Sequence, residues 1–340
     1  MHGIFVTPVA GLELTEAVRH EFRVNRVLFV SATKLPRIRN RFRIPETLAS
    51  YRSRSPAISS ILDASATLAV VRHSGESGEV QQESFRLVQE ELAILALSQL
   101  GFSKRRSLSH PRILDVAPRR TLRYVLFDEG GVSSVAGVRV IGAILPLRLD
   151  QPWLEFQEDV LFLPLLKILQ GTKSVSRGWR SLLRRTAVIV GRGMVSSHTP
   201  TAFLSNMIAL EMLLTEQGER HIDVLPKRIE AFLGWAGYWE KRGFSDKIKR
   251  IYALRCKYVH QGESDEITKK DLLFADDLVL NILTNIVHHP REFYSKESVI
   301  RFAELVRCEQ QLGVRPKVRP RTLRMLAPRY TKKDLEQIWE

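Results

Sequence analysis

Residues 251–262 read IYALRCKYVHQG, and this stretch decides how the rest of the chain is interpreted. It forms the second half of a predicted helix that begins at the capping residue Ser245 and ends at His260, just before Gly262. The apolar stripe of this helix consists of Ile248, Ile251, Tyr252 and Val259. Arg255 falls on the same stripe. Because burying an unpaired charge is costly, we expect its guanidinium to be paired or to face a cleft.

Carboxylates occupy the same kind of apolar position on two other predicted helices. Thr199-Pro200 is a typical helix start, and the helix that follows carries Glu211 on its apolar stripe. The predicted helix over residues 271–289 carries Asp276 in the same way. We therefore expect one cation and two carboxylates to face a shared interior. Such a cluster is either a buried salt bridge that locks a helical bundle or a device that turns Arg255 towards a phosphate.

His260 adds a group that exchanges protons near neutral pH. It lies five residues after Arg255, at a predicted helix C-terminus, where the helix dipole favours the protonated imidazole. A histidine of this kind beside an arginine suits the cleavage of phosphodiesters: the imidazole moves a proton and the guanidinium stabilises the charge of the transition state. RNA supplies its own nucleophile, the 2′-hydroxyl, so this chemistry requires no metal or cofactor.

The same residues carry a family resemblance. Residues 251–262 resemble the R-x4-6-H signature of HEPN domains, and the upstream segment 208–214, IALEMLL, is similar to the helix that precedes this signature in the Apea-like HEPN branch. The resemblance covers about residues 175–312. On this resemblance Arg255 and His260 match the signature, and Glu211 matches the acidic position of the earlier helix.

The resemblance implies a fold and a function. HEPN domains are all-helical bundles, commonly dimeric, in which the arginine and histidine of both protomers face one cleft. Many relatives are metal-independent RNases of toxin, abortive-infection or antiphage systems, and their products end in a 2′,3′-cyclic phosphate. Other HEPN domains are catalytically inactive and bind only RNA or partner proteins, and this alternative stays open for the present chain.

The remaining pattern predicts an α+β protein of two domains. The chain has 340 residues, and we expect a strand-rich α+β domain over about residues 1–150, an all-α bundle over about 151–314 and a basic tail over 315–340. The predicted strands cover 23–31, 121–127 and 132–149. The predicted helices cover 83–100, 153–169, 175–191, 199–216, 223–233, 245–260, 271–289 and 296–312. Gly191-Arg192-Gly193 is interpreted as a helix break.

The chain carries a formal net charge of +15, which favours a polyanionic partner such as RNA. In the segment 37–43 arginine recurs at every second residue, so an extended strand would place one row of guanidiniums along a phosphate backbone. A second basic element is the predicted helix 175–191. The candidate RNA-binding residues are Arg37, Arg39, Arg41, Arg43, Arg180, Arg184, Arg185 and Lys257.

Several classes of protein are excluded by missing motifs. The sequence contains no Walker A loop, no GxSxG elbow, no HExxH helix and no GxGxxG turn after a strand, which argues against an ATPase, a serine hydrolase, a zincin or a dinucleotide enzyme. His288 and His289 are interpreted as surface residues and not as metal ligands. Two cysteines, no signal-peptide pattern and no long apolar segment favour a cytoplasmic protein.

The sequence thus predicts a metal-independent endoribonuclease of the HEPN type, acting in prokaryotic antiphage or abortive-infection defence. Its expected catalytic residues are Arg255, His260 and Glu211. Its expected partners are RNA, a second copy of the chain, and a phage-derived trigger or cognate protein. The first alternative is an inactive HEPN-type module that binds RNA or protein. A DNA-binding regulator is a further alternative, which rests on charge alone.

Overall fold

The computed structural model describes residues 2–34, 65–74, 77–103, 105, 111–113, 121–128, 131–139, 146–171, 175–233, 244–314 and 326. The described strands lie in the N-terminal part together with one helix, and the other described helices follow, so the predicted α+β class with a helical C-terminal part is confirmed. The strands are β1 (His2–Ala10), β2 (Leu12–Leu14), β3 (Glu21–Val24), β4 (Val27–Ser31), β5 (Thr67–Ser74), β6 (Arg112–Ile113), β7 (Thr121–Asp128), β8 (Gly131–Arg139) and β9 (Leu147–Leu149).

The main sheet has five antiparallel strands in the order β3-β4-β5-β1-β6. The segment 23–31, predicted as one strand, is instead part of the β3–β4 hairpin. The chain reverses after Val24 because Asn25 adopts a left-handed conformation, with φ at 46°, which asparagine tolerates better than most residues. The segment 132–149, also predicted as one strand, is divided: β8 pairs with β7, whereas β9 pairs in parallel with β2.

The helices are α1 (Ser77–Leu97), α2 (Gln151–Asp159), α3 (Phe162–Leu169), α4 (Arg177–Val195), α5 (Thr199–Leu214), α6 (His221–Leu233), α7 (Phe244–Gln261), α8 (Lys269–His288) and α9 (Lys296–Gln311). Helix α1 covers the sheet, with the rings of Phe5 and Phe85 in edge contact at 4.8 Å. One continuous core of buried apolar side chains runs from the strands to α9. The division at residue 150 stays a prediction.

One predicted helix, 153–169, is broken in the structure. Helix α2 ends at Asp159 and α3 begins at Phe162, because Pro164 has no N–H for the carbonyl of Val160 and its ring would clash with that carbonyl in a continuous helix. The imidazole of His288 lies in hydrogen-bond contact with the free carbonyl instead, with Nε2 2.8 Å from the Val160 oxygen. His288 is therefore half-buried and bonded, and its interpretation as a surface residue was wrong.

Helix α4 does not break at its glycines, which corrects the interpretation of Gly191-Arg192-Gly193. The helix continues to Val195, and Gly191 packs against the backbone of α1: a Cβ at this position would lie 1.8 Å from the carbonyl oxygen of Ala93. Gly193 packs against α5 on another side, where a Cβ would lie 2.8 Å from Cβ of Ser205. The two glycines therefore allow α4 to lie close to both neighbouring helices.

Among the described helices, none combines the length and the apolar character needed to cross a bilayer.

The close approach at Gly191 predicts a position-specific loss of stability. Gly191→Ala should lower the free energy of unfolding by about 3 kcal/mol, because the added methyl group overlaps the Ala93 carbonyl and neither backbone can yield without moving a helix. The measurement is the urea-unfolding midpoint. Gly178→Ala on the same helix is the matched control, since nothing lies within 4 Å of its added Cβ, and it should be neutral or stabilising by up to about 1 kcal/mol. Equal midpoints for the two variants would contradict the close contact between Gly191 and the Ala93 carbonyl.

Candidate functional site

The predicted pair of Arg255 and Glu211 is present between α7 and α5. Nη2 of Arg255 donates to Oε2 of Glu211 at 2.9 Å, and Nε lies 2.8 Å from Oε1. The pair is largely shielded, with 17% of the Arg255 side chain and 11% of the Glu211 side chain exposed. Only the Nη2–Oε2 contact has hydrogen-bond geometry, because Nε and Oε1 are buried and neither has a hydrogen-bond partner within the described residues. Arg255 and Glu211 thus form a shielded ion pair with one hydrogen bond.

Arg255 keeps unused hydrogen-bonding capacity. A guanidinium has five N–H donors, and no described residue accepts a hydrogen bond from Nη1. The Tyr252 ring lies beneath the guanidinium, 6.0 Å from ring centroid to Cζ. Burial, with the negative charge of Glu211, raises the pKa of the Tyr252 hydroxyl to about 12, so this phenol stays protonated at neutral pH. The arrangement can bind an oxyanion at Nη1 beside a neutral aromatic ring.

His260 lies apart from this pair. It is exposed in the last turn of α7 and forms no hydrogen bond within the described residues. Five helical residues correspond to about 500° of rotation and about 7.5 Å of rise, so His260 leaves α7 roughly 140° around the axis from Arg255. Val259 beside it is 45% exposed, although the apolar stripe predicted it to be buried. The structure thus brings Arg255 to Glu211 and leaves His260 in solvent on the same helix.

Asp276 does not join the Arg255 cluster, so the expected shared interior of one cation and two carboxylates is wrong. Its carboxylate binds Arg105, whose Nε and Nη2 donate to it at 2.6 and 2.7 Å, and Asn206, whose Nδ2 donates at 2.6 Å. Arg105 also donates from Nη1 to the Gly193 carbonyl at 2.8 Å. These three side chains are buried, and they join α8, α5 and the end of α4 to the chain segment that follows α1.

Asp277, next in sequence, is a buried carboxyl of a different kind. Among the described residues no cation lies within ion-pair distance of it. Burial, with the charge of Asp276 as a second cause, raises the pKa of Asp277 to about 8. Its side chain is therefore largely neutral at pH 7 in the folded protein. This state was not predicted, because the helical pattern placed Asp276 and not Asp277 on the apolar stripe.

The candidate RNA-binding arginines of α4 have different surroundings. Arg184 is half-buried and bound to α1: its Nη1 donates to Glu91 at 2.7 Å and its Nη2 to Glu90 at 3.0 Å. Arg180 is also half-buried, with its guanidinium against Gly171 and a buried Nε that has no hydrogen-bond partner within the described residues. Of these three residues, only Arg185 is exposed.

The other predicted RNA contacts divide between the surface and the undescribed part of the chain. Lys257 lies at the surface and donates to Glu266 at 2.7 Å, an exposed ion pair of little net stability. The segment that contains Arg37, Arg39, Arg41 and Arg43 lies outside the described residues.

Sequence reasoning missed Arg105, Asn206 and Glu91. Asn206 could have been found, because it is a polar residue on the buried side of α5. Arg105 had no local signal, since its partner Asp276 is 171 residues away.

Metal ligation has no support in the described part of the chain, where no group of three or more histidine, cysteine, aspartate or glutamate side chains is placed to hold an ion. Cys256 is half-buried beside Arg255, Cys308 is exposed, and both are free thiols.

A scan against protein-family models and searches of curated proteins and of solved structures find no match to this chain.

Arg184 and Arg185 should respond oppositely to the same substitution. Arg184→Ala should lower the free energy of unfolding by about 2–3 kcal/mol, because it leaves Glu91, which is fully buried, without its cation. Arg185→Ala should change it by less than about 0.5 kcal/mol. Urea-unfolding midpoints of both variants decide this. A stable Arg184→Ala protein would mean that the α1–α4 ion pair contributes little.

Asp277 should make stability fall as pH rises. Its folded pKa of about 8 exceeds its ordinary value of 3.8, so between these two limits the unfolded chain has lost a proton that the folded chain still holds. The contribution of the neutral Asp277 carboxyl to the free energy of unfolding is fully present below about pH 4 and lost above about pH 8. Between these values the free energy of unfolding falls by up to about 1.4 kcal/mol per pH unit. Asp277→Asn cannot ionise at this position.

The stability advantage of Asp277→Asn over the wild type should therefore grow from acidic to alkaline pH. Urea midpoints of both proteins, measured at several values across this range, test the expectation. The control is Asp246→Asn, a change at an exposed carboxylate, which should show no such growth. A constant difference between wild type and Asp277→Asn would refute a neutral buried carboxyl.

Proposed function

We propose that this protein is a metal-independent endoribonuclease of the HEPN type. The observation that carries the proposal is the shielded Arg255, which is paired with Glu211 while Nη1 has no acceptor among the described residues, on the same helix as an exposed histidine. A fixed cation that can bind a phosphate and a nearby group that can exchange a proton are the two requirements of RNA cleavage by the 2′-hydroxyl.

In the proposed reaction the RNA 2′-oxygen attacks the adjacent phosphorus and the 5′-oxygen of the next nucleotide leaves. His260 takes the proton of the 2′-hydroxyl or gives one to the leaving oxygen, and the other proton is exchanged with solvent. Arg255 stabilises the negative charge of the pentacovalent phosphorus through Nη1, and Glu211 holds Arg255 in position. The products are a 2′,3′-cyclic phosphate end and a 5′-hydroxyl end, so the atoms balance without added water or metal.

The separation of His260 and Arg255 around α7 favours a site completed by a second copy of the chain. Within one protomer the side chains of Arg255 and His260 leave α7 about 140° apart around its axis. A phosphate bound by Arg255 is therefore reached more directly by His260 of a second copy. The exposed Val259 and His260 belong to the same last turn and are available for such a contact. We therefore include a homodimer in the proposal.

RNA affinity would come from basic residues outside the pair. Arg185 and Lys257 are at the surface, and the arginines at 37, 39, 41 and 43 and the tail add charge in sequence. Arg184 is engaged with Glu90 and Glu91 and contributes to the fold instead. A cytoplasmic role in antiphage or abortive-infection defence, with a phage-derived trigger or a cognate partner, rests on the family resemblance.

The second candidate function is an RNA- or protein-binding module without catalysis. The observation that favours it is the exposed His260, which no described residue orients. In that case Arg255 and Glu211 would be a structural ion pair.

Cleavage assays in EDTA distinguish the two functions. Purified wild type, Arg255→Ala and His260→Ala are incubated with mixed RNA, and the 3′ ends of the products are analysed. We expect cyclic-phosphate ends from the wild type and rates lower by about 10²–10⁴-fold for His260→Ala and about 10²–10³-fold for Arg255→Ala. Gln261→Ala, at the exposed neighbour of His260, is the matched control and should cut like the wild type.

Cutting at the wild-type rate by both variants would overturn the assignment of these residues. RNA binding without cleavage by any of the proteins, across mixed RNA and with a dimer confirmed in solution, would favour the binding module.

A further inference from the structure

Lys257 shares one face of α7 with His260. The two residues are three positions apart in a continuous helix, which places their side chains about 60° apart around the axis and about 4.5 Å apart along it. Arg255 leaves the helix about 160° from Lys257, on the side where Glu211 binds it. Lys257, and not Arg255, is therefore the cation of α7 that lies next to His260.

A carboxylate from the loop after α7 is bound to Lys257. Nζ of Lys257 donates to Oε1 of Glu266 at 2.7 Å. The hydrogen bond and the charge of Glu266 raise the pKa of the Lys257 ammonium, and the charge of Glu263 adds a smaller effect in the same direction. Lys257 is therefore charged at neutral pH, and Glu266 neutralises that charge.

The residues that follow Glu266 fix the loop against the helices. The Ile267 side chain is buried. Thr268 caps α8 and exchanges two hydrogen bonds with Asp271: the Thr268 N–H donates to the carboxylate at 3.0 Å, and the Asp271 N–H donates to the Thr268 hydroxyl at 3.3 Å. The backbone next to Glu266 is thus anchored, so its carboxylate stays within reach of Lys257 even when the two are not bonded.

A second ion pair on the same face of α7 differs from this one in burial. Arg250 lies seven residues before Lys257, about two turns away on the same face, and binds Asp271. Only 6% of the Asp271 side chain is exposed, whereas 42% of Lys257 and 63% of Glu266 are exposed. An ion pair exposed to this degree contributes little net free energy, so a dissolved anion can replace its carboxylate.

We propose that Glu266 is a competing carboxylate, which occupies Lys257 in the free protein and is displaced by an RNA phosphate that Lys257 then holds beside His260. A phosphodiester carries a full negative charge, and its oxygens accept the same hydrogen bonds from Nζ, so the exchange preserves an ion pair. Neighbouring phosphates of RNA add an attraction that one carboxylate lacks. The choice of RNA rests on the proposed function, whereas the competition for Lys257 does not.

This arrangement gives the proposed homodimer a second cation at the phosphate. When His260 of one copy reaches a phosphate held by Arg255 of the other copy, Lys257 arrives with it, because the two side chains lie on one face of α7. Glu266 neutralises this added charge until RNA is present. The carboxylate thus lowers the affinity of the site for single small anions more than for a polyanion.

A double-mutant cycle on the full chain tests the competition. Binding of a 2′-O-methyl RNA of about 20 nucleotides, which resists 2′-hydroxyl cleavage, is measured by fluorescence anisotropy at several salt concentrations. Glu266→Gln should tighten binding about three- to fivefold, which corresponds to the loss of one exposed ion pair. In the Lys257→Ala background the same change should alter affinity less than about twofold. Lys257→Ala alone should reduce the slope of log affinity against log salt by about 0.7.

Glu263→Gln is the matched control. It removes the same charge from the same loop and leaves the hydrogen bond from Lys257 to Glu266 in place. We expect it to change RNA affinity by less than about twofold. Lys257, Glu263 and Glu266 are at the surface, so the variants should keep the urea-unfolding midpoint of the wild type.

The outcomes separate the competition from the nuclease. Equal tightening by Glu266→Gln with and without Lys257, or equal tightening by Glu263→Gln, would mean general repulsion of RNA and would overturn the proposal, as would no tightening at all. The same variants are titrated with inorganic tripolyphosphate, and failure of both probes to bind would also overturn it.

The tripolyphosphate titration also keeps the proposal independent of RNA. Tighter tripolyphosphate binding by Glu266→Gln only when Lys257 is present, in a protein that neither binds nor cuts RNA, would keep the competition and reject the proposed function. Cleavage of RNA by the wild type, with no effect of Glu266→Gln on either probe, would keep the nuclease and reject the competition.

Discussion

The close packing of α4 against α1 is the constraint on which the rest of the structure depends. Gly191 lets the backbones approach until there is no room for a Cβ, and the Arg184 bonds to Glu90 and Glu91 tie the same two helices. Helix α1 covers the sheet, and α4 packs through Gly193 against α5, which carries Glu211. The position of the sheet is therefore transmitted through α1, α4 and α5 to the carboxylate that orients Arg255.

The helices and the Arg255–Glu211 pair were predictable because their signals are local. A charged residue on an apolar stripe must find a partner. In each of these helices the charged residue at an apolar position can be recognised from a few turns of sequence. The hairpin at Asn25, the α2–α3 break and the helix that runs through Gly191 were not predicted. The hairpin depends on one unusual φ, and the course of α4 depends on how Gly191 meets the backbone of α1; neither is visible in the hydrophobic period. The α2–α3 break has a local cause, Pro164, which the hydrophobic pattern of 153–169 does not show.

The partners of charged residues were even harder to predict from the sequence. Asp276 was expected to face Arg255, but Arg105 takes both of its oxygens and Asn206 adds a third hydrogen bond. Arg184 and Arg185 are adjacent and chemically identical, and yet one is bound to buried Glu91 while the other is exposed. A count of basic residues overestimates the positively charged surface wherever a carboxylate from another helix neutralises one of them. Net charge therefore indicates a class of binding partner, but it does not locate the binding surface.

The two halves of the candidate site differ in burial and in bonding, and under the proposed function this difference has a consequence for catalysis. Arg255 is held by its ion pair with Glu211 and lies over the ring of Tyr252, whereas His260 is exposed to solvent at the end of α7 with no described partner. Under the proposed function, a phosphate would therefore bind at Arg255 before the proton-transfer group is in place. Much of the rate of a two-group reaction comes from having both groups oriented at once, so whatever orders the His260 side chain would control activity more than affinity. A second copy of the chain or the RNA itself could supply that order, and Glu211 would keep the anion site intact in its absence.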